Sequence, residues 1–141
     1  MNILEILKEP DPILRQKSTP VKKVDREIKK LMNNMLDTMY AAPGIGLAAV
    51  QVGILKRVVV IDISKEANKN EPICLVNPEI IWKSDILEKK QEGCLSIPDY
   101  FADIKRPNAC NVHYIDEHGK EKLLKAEGLL ATCIQHEIDH C

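Results

Sequence analysis

Apolar residues recur at helical spacing at Ile28, Leu31, Met32, Met35, Leu36, Met39 and Tyr40, with charged and polar residues between them. This period gathers them on one face and predicts an amphipathic helix. Asp25 stands where an N-cap belongs, and the helix is expected to stop before Pro43. Its methionines read as core, not as a cofactor-binding stripe. Upstream, Pro10-Asp11-Pro12 opens a short helical turn that Ser18-Thr19-Pro20 stops. Downstream the pattern changes to short apolar runs. Residues 57–63 and 73–76 read as strands, the second ended by Asn77-Pro78. Residues 79–90 suggest another extended pair around Ile80, Ile81 and Trp82. Residues 109–124 read as a hairpin turning at 116–119, and Gly128 precedes a last helix over 129–140. Helices, then strands, then a helix imply an α+β fold, not alternating βαβ units. The expected architecture is mixed or antiparallel sheets packed around a C-terminal helix, with an N-terminal helix, in one domain over 1–141.

Composition narrows the partners. The 20 Lys and Arg residues against 21 Asp and Glu leave a net charge of −1, so a basic footprint for direct nucleic-acid recognition is absent. A local patch for docking on a ribosome stays open. No apolar run approaches a membrane span, and the opening MNILEILK is too short and mixed for a signal peptide. The five cysteines form no regular framework, which points to a reducing cytoplasm.

The chemistry concentrates in HEIDH at 136–140. Residues four apart on a helix lie roughly 6 Å apart along its axis, on one face. The imidazoles of His136 and His140 can therefore reach one metal ion, with the Glu137 carboxylate beside it to take a proton from water. A catalytic site of this type needs a third protein ligand, and the sequence runs only one residue past His140. Candidates upstream are Cys133, too far along the helix for all three to chelate, Cys74 in an apolar strand, and His113 and His118 on the hairpin. Cys141 is a further candidate. Cys94, in EGCLS at 92–96, stands out because Gly93 lets the backbone approach another element closely.

GIGLAAVQ at 44–51 superficially fits a dinucleotide fingerprint, but that motif follows a strand and opens a helix, whereas a helix precedes it here. A tight backbone beside a ligand, with Gln51 offering an amide, and a plain glycine turn feeding a strand both remain open from this segment alone.

In this order, GIGLAAVQ, EGCLS and HEIDH resemble the three signature motifs of the peptide deformylases. The resemblance runs over essentially the whole chain. It implies a metal-dependent hydrolase that removes the formyl group from the N-terminal formyl-methionine of nascent bacterial-type polypeptides, releasing formate. The implied cofactor is one divalent metal ion, commonly Fe(II), with zinc, nickel or cobalt able to replace it. The implied ligands are Cys94, His136 and His140, with Glu137 as acid and base. Gln51 and the Leu95 N–H would bind the developing oxyanion, and Gly46 would offer a backbone contact to substrate. Ile45, Leu129 and Cys133 are candidate walls for the methionine side chain. Glu92 and Arg106, opposite charges around the second motif, are expected to pair and orient a ligand histidine.

The resemblance also implies a cytoplasmic enzyme acting as a monomer on a formyl-Met peptide or nascent chain. Family members usually continue past HEIDH with a leucine, where Cys141 stands here. A shortened, weak or inactive homologue that only binds peptide is therefore the alternative reading. A metalloprotease cutting internal bonds is a further rival, weakened by the missing downstream ligand.

Overall fold

The structure is a computed structural model describing residues 3–8, 11–42, 44–63, 72–94 and 97–139, with backbone only at 15, 90, 91, 93, 94 and 97–103. Helix α1 spans Arg26–Ala41. The Asp25 carboxylate accepts from the Ile28 N–H at 3.0 Å, as an N-cap should. Ile28, Leu31, Met32, Met35, Thr38 and Met39 are buried along it. Tyr40 departs from the expected face. It is 36% exposed, because its hydroxyl reaches past the core to a carboxylate described below.

Among the described residues seven strands follow: β1 (Gly46–Ala48), β2 (Val58–Ile61), β3 (Ile73–Lys83), β4 (Leu87–Cys94), β5 (Ile97–Pro107), β6 (Ala109–Ile115) and β7 (Glu121–Glu127). Helix α2, Gly128–Asp139, closes the order. Five strands form an antiparallel sheet ordered β1-β2-β3-β6-β7, and β4 and β5 pair as a separate ribbon. All four residues of β2 are buried. Val58 and Val60 join the cluster under α1, while Val59 and Ile61 join the cluster that includes Ala131, Cys133 and Ile134 of α2. The period of two thus divides one strand between two cores on opposite faces of the sheet.

Three expectations needed correction. Asn77-Pro78 does not end a strand, because β3 runs through it to Lys83. Asn77 takes a left-handed φ of 52°, and the register with β6 shifts between Val76 and Glu79. A bulge therefore absorbs the proline, whose missing N–H would otherwise break the ladder. The Asn77 amide also clamps residue 21, accepting from the Val21 N–H at 2.7 Å and donating to its carbonyl at 2.8 Å. Second, Ile80, Ile81 and Trp82 belong to this same β3, and the separate pair is β4 with β5. Third, the hairpin extends to Glu127, and α2 begins at Gly128 itself, whose φ is 59°. The turn falls where expected, with Asp116 accepting from the N–H groups of His118 and Lys120 at 2.9 Å. GIGLAAVQ folds as β1 and a 3-10 turn over Ala49–Val52.

Candidate active site

α2 presents the HEIDH residues from a fixed platform. The Gly128 N–H donates to the Asn108 carbonyl at 2.9 Å. One residue before the motif, Gln135 is buried and its amide donates to the Pro107 carbonyl at 2.9 Å. The helix is thereby tied to the end of β5 at the level of His136.

His136 Nδ1 lies 2.9 Å from Glu92 Oε1. The other oxygen of Glu92 accepts from Arg106 Nε at 2.7 Å, and Arg106 reaches on to Asp139 Oδ2 at 2.7 Å. β4, β5 and α2 thus meet in a four-residue polar chain. Burial opposes ionisation of Glu92, but the hydrogen bonds from Arg106 and His136 outweigh it and hold the carboxyl below its ordinary range. An ionised carboxylate only accepts, so the proton of a neutral imidazole sits on Nδ1 and the Nε2 lone pair is turned toward the motif.

Glu137 is 4% exposed, and burial pushes its carboxyl up to about 8. β1 runs directly against it. A Cβ on Gly46 would come within 2.9 Å of Cys133 Sγ and 3.0 Å of Glu137 Cγ. Only glycine allows this approach, so Gly46 serves packing against the site whatever it does for a ligand. Gln51 is 1% exposed. Its Oε1 accepts from the Ala48 N–H at 2.9 Å, which fixes the amide.

Of the candidate pocket walls, Ile45 and Leu129 are exposed and Cys133 is buried. Cys133 Sγ lies 3.8 Å from the Ile45 carbonyl. Burial and then the charges of Glu137 and Glu92 push its thiol far up, so it remains protonated. Cys74 and Cys110 are buried thiols within the two cores. His118 is exposed on its turn.

The structure brings together Gly46, Glu92, Arg106, Cys133, His136 and Glu137 around β1 and α2, and ties Gln51 to the end of β1 through Ala48. Leu95, His140 and Cys141 lie outside the described residues, as does the Cys94 side chain, although the Cys94 backbone ends β4. Among the described residues no three His, Cys, Asp or Glu side chains converge on a point. The donor chemistry nevertheless fits a cation. A histidine has its tautomer set for ligation through Nε2, and a buried carboxyl whose raised pKa a neighbouring positive charge would lower stands beside it. Gln135 and Asp139 were not singled out in the sequence. The roles of a buried glutamine just before the motif and of an Arg-paired aspartate within it are recognisable only once β5 is seen to lie against α2.

The family model described as polypeptide deformylase matches residues 3–141. The chain is 60% identical over 140 residues to a peptide deformylase of Pelagibacter ubique, covering 99% of this chain and 81% of that one. It is 52% identical to a peptide deformylase of Rhizobium meliloti, covering 99% and 80%. Among solved structures, it is similar to the peptide deformylase of Ehrlichia chaffeensis in complex with actinonin (TM-score 0.94, 46% identity, covering 99% of this chain and 84% of that one). The peptide deformylase of Thermotoga maritima is also similar (TM-score 0.93, 38% identity, covering 99% and 92%).

Proposed function

The chain belongs to the polypeptide deformylase family, and we infer that its site hydrolyses the formamide of N-formyl-methionyl peptides, releasing formate and a free α-amine. The observation that carries this reading is the meeting of β1 with α2, where Gly46 lies flush against the buried Glu137 while Glu92 orients His136. The binding-only alternative draws no support from the comparisons.

The enzyme is metal-dependent. Cys94, His136 and His140 are the proposed ligands, and iron(II) is the proposed ion, with zinc, nickel or cobalt able to replace it. A thiolate and two imidazoles suit any of these ions. When bound, the ion supplies Lewis acidity toward the formyl oxygen and acidifies water. Glu137 takes the proton of the attacking water and passes it to the departing amine nitrogen. Its place supports that role, buried next to His136 on α2 and flush against β1. Gln51 Nε2 and the Leu95 N–H donate to the oxyanion as the carbon becomes tetrahedral. The fixed amide of Gln51 needs no reorganisation to do so. Ile45, Leu129 and Cys133 border the methionine side chain, and the Gly46 backbone holds the peptide. Arg106 and Glu92 keep the His136 ring in its ligating orientation.

The chain acts as one catalytic unit over 1–141. We assign it to the cytoplasm, working as a monomer on nascent chains at the ribosome surface. No described helix is long and apolar enough to cross a membrane, and the buried Cys74, Cys110 and Cys133 are free thiols. The test is formate release from a formyl-Met peptide by anaerobically purified protein, with metal analysis of the same sample. Cys94→Ala should strip the metal and the activity, while Cys74→Ala and Cys110→Ala should keep both. Equal loss in all three would remove Cys94 from the ligand set, and a metal-loaded wild type that releases no formate would overturn the deformylase reading.

A further inference from the structure

A polar contact joins the last turn of α1 to the residue that follows β2. The Tyr40 hydroxyl donates to Asp62 Oδ2 at 2.5 Å. Tyr40 lies in the last turn of α1, and Asp62, 5% exposed, directly follows β2. The Asp62 backbone points the other way, its N–H donating to the Ile45 carbonyl at 2.9 Å. That same carbonyl lies 3.8 Å from Cys133 Sγ of α2. One residue earlier, the Gly44 N–H donates to the Met39 carbonyl at 2.7 Å. Residues 44–46 are therefore held from α1, β2 and α2 at once.

This short stretch carries the rim of the site. The Ile45 side chain is 45% exposed, while Gly46 has no slack against Glu137. A shift of the Ile45 carbonyl would move the rim relative to that carboxyl. Core packing does not explain the hydroxyl, because a phenylalanine would fill the same space with its ring. A carboxylate as buried as Asp62 requires donors to offset its lost hydration. Burial and the Asp62 charge raise the Tyr40 hydroxyl well above its ordinary value, so it stays a donor throughout the working pH range.

We propose that Tyr40 and Asp62 are positioning residues for peptide binding. The Tyr40 hydroxyl fixes the Asp62 carboxylate, the Asp62 backbone fixes Ile45, and the pair thereby sets the seat of the substrate relative to Glu137. The proposal rests on the deformylase reading of this site and adds residues that touch neither substrate nor metal.

The experiment compares metal-loaded wild type, Tyr40→Phe and Asp62→Asn on a formyl-Met peptide, with hydrogen exchange over 44–46 and 60–62. For Tyr40→Phe, KM should rise about three- to tenfold, the effect of losing one hydrogen bond of ordinary strength. Its kcat should change less than twofold, its metal content should match wild type, and exchange at the Asp62 amide should speed up. Asp62→Asn keeps an oxygen that accepts from Tyr40, so its KM should lie closer to wild type. A Tyr40→Phe enzyme with unchanged KM and a lowered Tm would overturn the proposal in favour of a purely structural contact. So would an equal rise in KM for both variants. A wild type without turnover would instead refute the deformylase reading, and the exchange measurement would still decide whether Tyr40 holds the rim.

Discussion

Glu92 Oε1 sits 2.9 Å from His136 Nδ1, although the two residues are 44 apart in the chain. The carboxylate and the imidazole come from different sheet and helix elements, so their contact depends on β4 docking against α2. Glu92→Gln should weaken metal binding about 10- to 100-fold, the usual cost of disturbing a partner behind a ligand histidine. An amide can present its N–H₂ to the ring as readily as its oxygen, so it no longer enforces one tautomer. Chelator competition under anaerobic conditions checks this, with an unchanged affinity refuting it.

Glu137 gives a pH signature in metal-free protein. Its carboxyl sits at about 8 in the folded state against an ordinary 4.5. A folded value above the unfolded one means the unfolded chain ionises first as pH rises. The penalty is absent below pH 4.5, grows up to about pH 8, and is constant above. Glu137→Gln removes it, so the metal-free variant should gain stability over wild type progressively across that window, by on the order of a few kcal/mol. Thermal melts of chelator-treated protein at several pH values decide the matter. A difference that does not vary with pH would contradict it. In metal-loaded protein the same substitution should abolish turnover and keep the metal.

Gly46→Ala tests the close approach of β1. The new methyl would meet Cys133 Sγ at 2.9 Å and Glu137 Cγ at 3.0 Å, so β1 or the carboxyl must move. Overpacking of this kind costs about 1–3 kcal/mol, and displacing a reacting group by about 1 Å costs about 100-fold in rate. We expect kcat/KM to fall by about that factor in protein that still folds and still holds metal. Wild-type kcat/KM in this variant would show that the contact yields freely.

Met35→Ala probes the core away from the site. Met35 is fully buried under the sheet, and the cavity should cost about 2–5 kcal/mol. The urea midpoint should drop accordingly, with kcat/KM retained at temperatures where the variant is folded. A midpoint near wild type would mean that α1 collapses to fill the gap.

Local signals were legible in the sequence, and long-range ones were not. The Asp25 cap and the apolar face of α1 depend on neighbours within a few residues, and both are found where the pattern put them, Tyr40 excepted. Strand β5 went unread because its charged run, Asp103 to Arg106, follows no apolar alternation and is supported by pairing with β4. Asn77-Pro78 reads as a stop, since only the structure shows Arg57 and Val21 binding the bulge that lets β3 continue. The expected pairing of Glu92 with Arg106 drew on opposite charge flanking a motif. Asp139 and Gln135, 33 and 28 residues from their partners, carried no comparable cue.

The β4–β5 ribbon is separate from the five-stranded sheet, and it contributes Glu92 and Arg106 to a site whose His136 and Glu137 ride on α2. A chain with both sheets formed but not yet docked would carry every chemical group of the site and no working arrangement of them. Activity in this molecule therefore depends on the joint between ribbon and helix as much as on either sheet. Opening that joint would part Glu92 from His136 while leaving the strand pairing of both sheets intact.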